Sequence, residues 1–327
     1  MSSTASTTES GREQRTAANQ TPRYVAMLAS GELRQRVDEA MVGLAHCELC
    51  PRRCGVDRLS GQIGYCGAGA VARVASYNAH HWEEPPISGT GGSGTIFLSY
   101  CTARCIFCQN YSISQMGVGN DMNTEELARA MLTLQRRGCH NINLVTPTHY
   151  VPQIMAAVAH AAGQGLRIPI VYNTGGYETV ETLRLLEGIV DIYLPDAKYA
   201  DDDVARELSG FDGYVEANRA ALLEIKRQVG SALLVDVDGI AYRGMVLRHL
   251  VLPDRLSQTL DVLAWIAREL GRDTYISLMA QYFPAHRAVG HPSVGRRLYR
   301  REYRVVLEAL EELGMENGWT QELDRIY

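Results

Sequence analysis

The chain has no apolar stretch long enough to cross a bilayer. Its opening residues, MSSTASTTESGREQRTAANQTPR, carry Ser, Thr, Glu and Arg but no apolar run of the kind a secretory leader needs. We therefore expect a cytoplasmic protein with no membrane partner, and read residues 1–22 as a disordered tail. Positive charge is in deficit, with 32 Lys and Arg against 37 Asp and Glu and a net charge of −5, which argues against a general nucleic-acid binder. No internal repeat at solenoid spacing is present. The string GTGGSG at Gly89–Gly94 lacks the Gly-Lys-Ser/Thr ending of a phosphate loop and precedes a strand, so it reads as a flexible approach to that strand. What remains is 327 residues, 46% hydrophobic, enough for one large domain and a small appendage.

Short apolar runs recur from Gly94 onward: TIFLSY (Thr95–Tyr100), NINLVT (Asn141–Thr146), IPIVYN (Ile168–Asn173), VDIYLP (Val190–Pro195), MVLRHLVL (Met245–Leu252) and YISLMA (Tyr275–Ala280). They are rich in Ile, Val, Leu and Tyr and have the length of buried strands. Helical patterns separate them. TEELARAMLTLQRRG (Thr124–Gly138) has a cap, acids in its first turn, two Arg at its end and a terminal Gly. Repeated strand–helix–strand units with continuous apolar strands imply a parallel sheet, doubly wound or an incomplete barrel. Both place the active face at the carboxyl ends of the strands. Thr146–Pro147–Thr148, Asn173, Asp196 with Lys198, and Gln281–Tyr282 should lie there.

Cysteine is the uneven residue. Of 8 in the chain, all but Cys139 fall between Cys47 and Cys108. Clustered thiols in a reducing compartment point to metal, not to a disulfide framework. Cys139 reads as a small buried hydrophobe. Cys101, Cys105 and Cys108 form C-x3-C-x2-C directly after the first strand. Thiolates suit zinc or iron–sulfur clusters, and a 4Fe–4S cluster normally takes four cysteines. Three leave one iron without a protein ligand, as catalytic metal sites keep an open position.

This loop, with Phe107 just before its last cysteine, resembles the signature of radical S-adenosylmethionine (radical SAM) enzymes. The resemblance implies an α/β fold: a partial (β/α)6 TIM-like barrel, with a small N-terminal cysteine-rich loop segment before it. Its boundaries would be a segment at 23–93 and a barrel with C-terminal helices at 94–327. It also implies chemistry in which the methionine end of SAM chelates the open iron. An electron from the reduced cluster cleaves SAM to methionine and a 5′-deoxyadenosyl radical, which takes a hydrogen atom from a substrate. CQN at Cys108–Asn110, YNTGGY at Tyr172–Tyr177, VDIYLPDAKY at Val190–Tyr199 and VLRHLVLPD at Val246–Asp254 are similar to pyruvate formate-lyase activating enzyme and its relatives. On that resemblance Phe107, Thr146, Asn173, Asp196, Lys198 and Arg248 are candidates for holding SAM. A low-potential donor such as flavodoxin or ferredoxin, and a protein substrate activated at a backbone glycine, are implied as partners. One departure stands out. Where such enzymes carry Gly-Gly-Glu-Pro after the second strand, this chain reads Thr146-Pro147-Thr148-His149, and the TGGYE string at Thr174–Glu178 follows the third strand instead.

A second group, Cys47, Cys50, Cys54 and Cys66, reads C-x2-C-x3-C-x11-C. Four thiolates close a zinc site or ligate a second cluster completely, and spacing does not choose between them. A loop-rich segment of this size needs such a staple. His80, His81, Glu83 and Glu84 form a polar knot read as a hydrogen-bonded loop. Two other readings stay open at this point: radical SAM modification or methylation of a small molecule, and a non-catalytic Fe–S or zinc redox sensor.

Overall fold

A computed structural model describes residues 21–321. The tail expected at 1–22 therefore lies almost wholly outside the described residues. Ten strands occur among them: β1 (Ala72–His80), β2 (Ser93–Leu98), β3 (Asn120–Met122), β4 (Ile142–Val145), β5 (Ile170–Thr174), β6 (Ile192–Pro195), β7 (Leu234–Val235), β8 (Ala241–Leu250), β9 (Tyr275–Met279) and β10 (Gly318–Thr320). The sheet runs β10-β9-β8-β6-β5-β4-β2-β1-β3, with β7 paired to β8. From β2 through β4, β5, β6, β8 and β9 every neighbour is parallel, and the ends of the sheet do not meet. This mixed α/β architecture with an open parallel sheet is the expected partial barrel. All six apolar runs read from the sequence became its strands.

The period change explains the alternation. Strands such as Ile192–Pro195 are buried on both faces, as crossover helices require. The helix Thr124–Arg136 begins with a full capping box, Asn123 and Glu126 each satisfying the other's backbone N–H, and buries Leu127, Met131 and Leu134 against the sheet. Helices at Val151–Gly163, Val180–Leu186, Asp202–Ser209, Tyr214–Val229, Thr259–Trp265 and Arg300–Glu312 supply the outer layer. Helices Arg23–Ser30 and Glu32–Val42 went unread; their buried Tyr24 and Leu33 seat them in the same core. Cys139 is buried in that core as expected. Among the described residues no helix is long and apolar enough to cross a membrane.

GTGGSG proves to be a turn at the amino end of β2, with the Gly91 N–H donating to the His140 imidazole at 2.8 Å. Below it, fully buried Asn141 ties the loop to the sheet. It accepts from the Ser93 hydroxyl at 2.7 Å and donates to the Ile87 carbonyl at 2.8 Å. Replacing Asn141 by Leu strands both partners and should cost about 1–3 kcal/mol. Chemical denaturation reads this loss directly, and because Asn141 lies at the far end of the strands, iron content should not change. Unchanged stability would contradict the assignment.

Candidate functional site

The sheet register brings to one face polar residues at or just past the strand ends: Thr146 after β4, Asn173 in β5 and Asp196 after β6. β2 stops at Leu98 and is followed by the three-cysteine loop. Two backbone bonds hold that loop on the end of the Asp202–Ser209 helix: Arg104 N–H to the Ser209 carbonyl at 2.8 Å and Ile106 N–H to the Leu208 carbonyl at 2.9 Å. Gln115 donates to the Cys105 carbonyl at 2.9 Å, the Cys108 sulfur lies 3.2 Å from the Ser114 hydroxyl, and the Ala103 N–H points at the Cys101 sulfur from 3.3 Å. Phe107 is buried and meets Tyr282 edge-on, with ring centroids 5.7 Å apart. In this structure it is a packing residue between the loop and the end of β9.

Four of the candidates form one network. The Lys198 ammonium donates to Asp196 at 2.6 Å, Arg248 Nε donates to the other Asp196 oxygen at 3.2 Å, and Arg248 Nη2 donates to the Asn173 side-chain oxygen at 2.7 Å. Burial pushes the Asp196 carboxyl up, but Lys198 and then Arg248 outweigh it and hold the group below the ordinary carboxylate range. Burial lowers Lys198, and Asp196 more than reverses this. The Lys198 charge is felt by Cys101 and Cys105. Thr146 joins the network through its backbone. It sits in the left-handed region at φ 59°, and its N–H donates to the Asn173 carbonyl at 2.9 Å.

Burial, then the neighbouring Cys105, pushes the Cys101 thiol up to about 12, and burial raises Cys105. Without metal these thiols are neutral, and loading one would release protons. The donor set suits an iron–sulfur cluster: three soft sulfur ligands on one loop, with a partly buried cation beside them to balance thiolate charge. Among the described residues no three Cys, His, Asp or Glu side chains already stand in coordinating positions, so the sulfurs must turn inward to hold metal.

Three participants were not legible from sequence. Glu83, from the polar knot, lies 3.7 Å from Arg248 Nη1. Its carboxyl is raised by burial against the pull of Arg248. Glu178, dismissed as belonging to the third strand's turn, carries its carboxyl across to the second strand's turn. It accepts from the Thr148 hydroxyl at 2.7 Å and from Thr174. The third is Arg52, within the four-cysteine segment. It donates to the carbonyls of Thr102, at 3.1 Å, and Gly210, and lies 3.5 Å over the Tyr65 ring. Arg104 donates back to the Tyr65 carbonyl at 2.7 Å. The two cysteine groups therefore abut. His149, the last residue of the Thr146–His149 turn, is buried and donates its Nε2–H to the Ser99 carbonyl at 2.8 Å. Burial lowers it to about 4, so it is neutral.

Residues 95–240 match the Radical SAM superfamily. The chain is 28% identical over 281 residues to an uncharacterized protein of Methanocaldococcus jannaschii, covering 83% of this chain and 76% of that one. Among solved structures it is similar to methylornithine synthase (PylB), at TM-score 0.45 and 16% identity, covering 69% and 70% of the two chains. It is also similar to the FeFe-hydrogenase maturase HydG from Carboxydothermus hydrogenoformans, at TM-score 0.48 and 14% identity over 71% and 54%. The superfamily match spans all three cysteines of the loop and the Asp196–Lys198 pair.

Glu178 yields a pH prediction. Burial, partly offset by its Thr148 and Thr174 hydrogen bonds, raises its carboxyl from 4.5 to about 7. A raised acid binds its proton more tightly folded than unfolded. Its contribution is therefore fully present below the unfolded value and lost as pH rises through the folded one. Glu178→Gln should remove on the order of 1–3 kcal/mol of the stability loss between pH 4.5 and about 7. Denaturant titrations across that range measure it, and an unchanged slope would contradict the assignment.

Proposed function

We propose that the chain is a radical SAM enzyme that reductively cleaves SAM at a 4Fe–4S cluster held by Cys101, Cys105 and Cys108. The observation that carries this reading is the placement of the three-thiol loop on the strand-end face, beside the Asn173–Arg248–Asp196–Lys198 network. A bound, reduced cluster supplies the electron that splits SAM into methionine and a 5′-deoxyadenosyl radical.

The chain's own residues then have definite tasks. Lys198, itself held by Asp196, balances the charge of the Cys101 and Cys105 thiolates. Arg248 presents a planar fork suited to the SAM carboxylate. Asn173 and Asp196 fix the direction of that fork. The Thr146 N–H is already committed to Asn173, which leaves its hydroxyl and carbonyl for the SAM amino group.

The substrate we favour is a segment of another protein, activated as glycyl-radical enzymes are. The support is the open sheet, whose ends do not meet and so leave the interior laterally accessible to a peptide, together with the motif resemblance to activating enzymes. A flavodoxin or ferredoxin is the matching donor.

Replacing Cys101, Cys105 or Cys108 singly by Ala should reduce anaerobic formation of 5′-deoxyadenosine to background while circular dichroism stays native. Arg248→Lys keeps the charge but loses the fork, and should raise the KM for SAM about tenfold or more. Full turnover in any cysteine variant would end the proposal. A protein-borne radical appearing on a candidate partner supports the protein substrate, and SAM cleavage stimulated only by a small molecule overturns that part.

A further inference from the structure

The four N-terminal cysteines lie outside the proposed catalytic centre. The chain between Gly43–Ala45 and β1 forms neither helix nor strand, although stretches of this length without regular structure are uncommon inside a compact domain. Turns fold it back on itself: Cys47 N–H to the Val56 carbonyl at 3.1 Å, Gly55 N–H to the Cys47 carbonyl at 3.0 Å and Arg53 N–H to the Cys50 carbonyl at 2.9 Å. Cys47 and Cys66 are buried, Cys50 is half-buried and Cys54 is exposed. Cys47 feels the charge of Cys54 and Cys66, and Cys50 that of Cys66 and Cys47, so Cys47 and Cys66 stand between the other two.

Arg58 is the second, independent observation. Its side chain is only 3% exposed. One amino group donates to the His149 carbonyl at 2.6 Å, the other points at the Cys66 sulfur from 3.5 Å, and Nε is buried with no partner. Among the described residues no carboxylate pairs with it. A buried guanidinium without a counter-charge is costly, and a neutral thiol does not supply one. A metal-bound thiolate does, because four thiolates around a divalent ion leave net negative charge.

We infer that Cys47, Cys50, Cys54 and Cys66 form a closed four-thiolate metal centre, holding a zinc ion or an iron–sulfur cluster, whose negative charge is balanced by buried Arg58. The centre staples the loop segment that Arg52 and Arg104 fasten to the three-cysteine loop.

The test uses the full chain with Cys101, Cys105 and Cys108 all changed to Ala, so that its outcome is independent of SAM cleavage. Purified anaerobically after supply with zinc, or with iron and sulfide, this variant should retain about one zinc ion, or about four irons with cluster absorption, per chain. The two arms identify the metal. Adding Cys47→Ser and Cys66→Ser should abolish that content. Arg58→Met should lower metal affinity about 10–100-fold in a chelator competition, with Arg58→Lys intermediate. In the unaltered chain, Cys47, Cys50, Cys54 and Cys66 should resist alkylation until a chelator is added, a readout that does not require any variant to fold. A folded triple variant holding neither metal, or four thiols alkylated freely without chelator, would overturn the centre. Unchanged affinity in Arg58→Met would overturn the counter-charge role.

Discussion

A buried carboxylate between two cations governs the strand-end face. Asp196 follows β6, and it takes Lys198 from its own turn and Arg248 from β8, while Arg248 reaches on to Asn173 in β5. Burying any of these charges alone would cost several kcal/mol. Together they are compensated, and the side chains have one arrangement instead of many. The network does two things at once. It closes the carboxyl ends of three neighbouring parallel strands, and it fixes an ammonium group beside the thiols of the β2 loop. A cluster bound there would meet a site whose charge is already set, the kind of preorganisation that lowers the reorganisation needed during reaction.

The second constraint is contact between two cysteine groups separated in sequence by the whole of β1. Tyr65 sits between the guanidinium groups of Arg52 and Arg104, the first at 3.5 Å and the second at 5.2 Å from its ring centre. Each arginine also binds a carbonyl in the other group's segment. Gly67 completes the contact. It has φ 87°, and any side chain there would strike the Tyr100 ring just before Cys101. The N-terminal segment thus acts as a brace for the three-cysteine loop, through cation–π and hydrogen-bond contacts.

The parts of the fold read from sequence were those with a strong period. Six continuous apolar runs became six parallel strands, and Thr124–Arg136 announced itself by its first-turn acids, closing Arg and terminal Gly, although its cap is Asn123 and not Thr124. The missed elements have weak patterns. β1 faces solvent for part of its length and β3 and β10 are three residues each, so their pairing is decided by neighbours. The site shows the same division. The Asp196–Lys198 pair just past β6 and Arg248 in β8 are aligned by strand register. By contrast, Glu178 meets Thr148 across 30 residues and Arg58 meets His149 across 91, contacts that no local spacing announces. His149 shows the same limit: its place in the chain puts it near the face, while its side chain turns beneath, to Ser99.

The central claim is that three thiolates from one loop leave an iron open for SAM. Electron–nuclear double resonance on the reduced, reconstituted chain tests it most directly, using SAM labelled at its amino nitrogen and carboxylate oxygen. The account predicts hyperfine coupling of both labels to the cluster, lost when Cys108 is replaced by Ala. A reduced cluster whose spectrum shows no coupling to either label, with SAM bound, would contradict it.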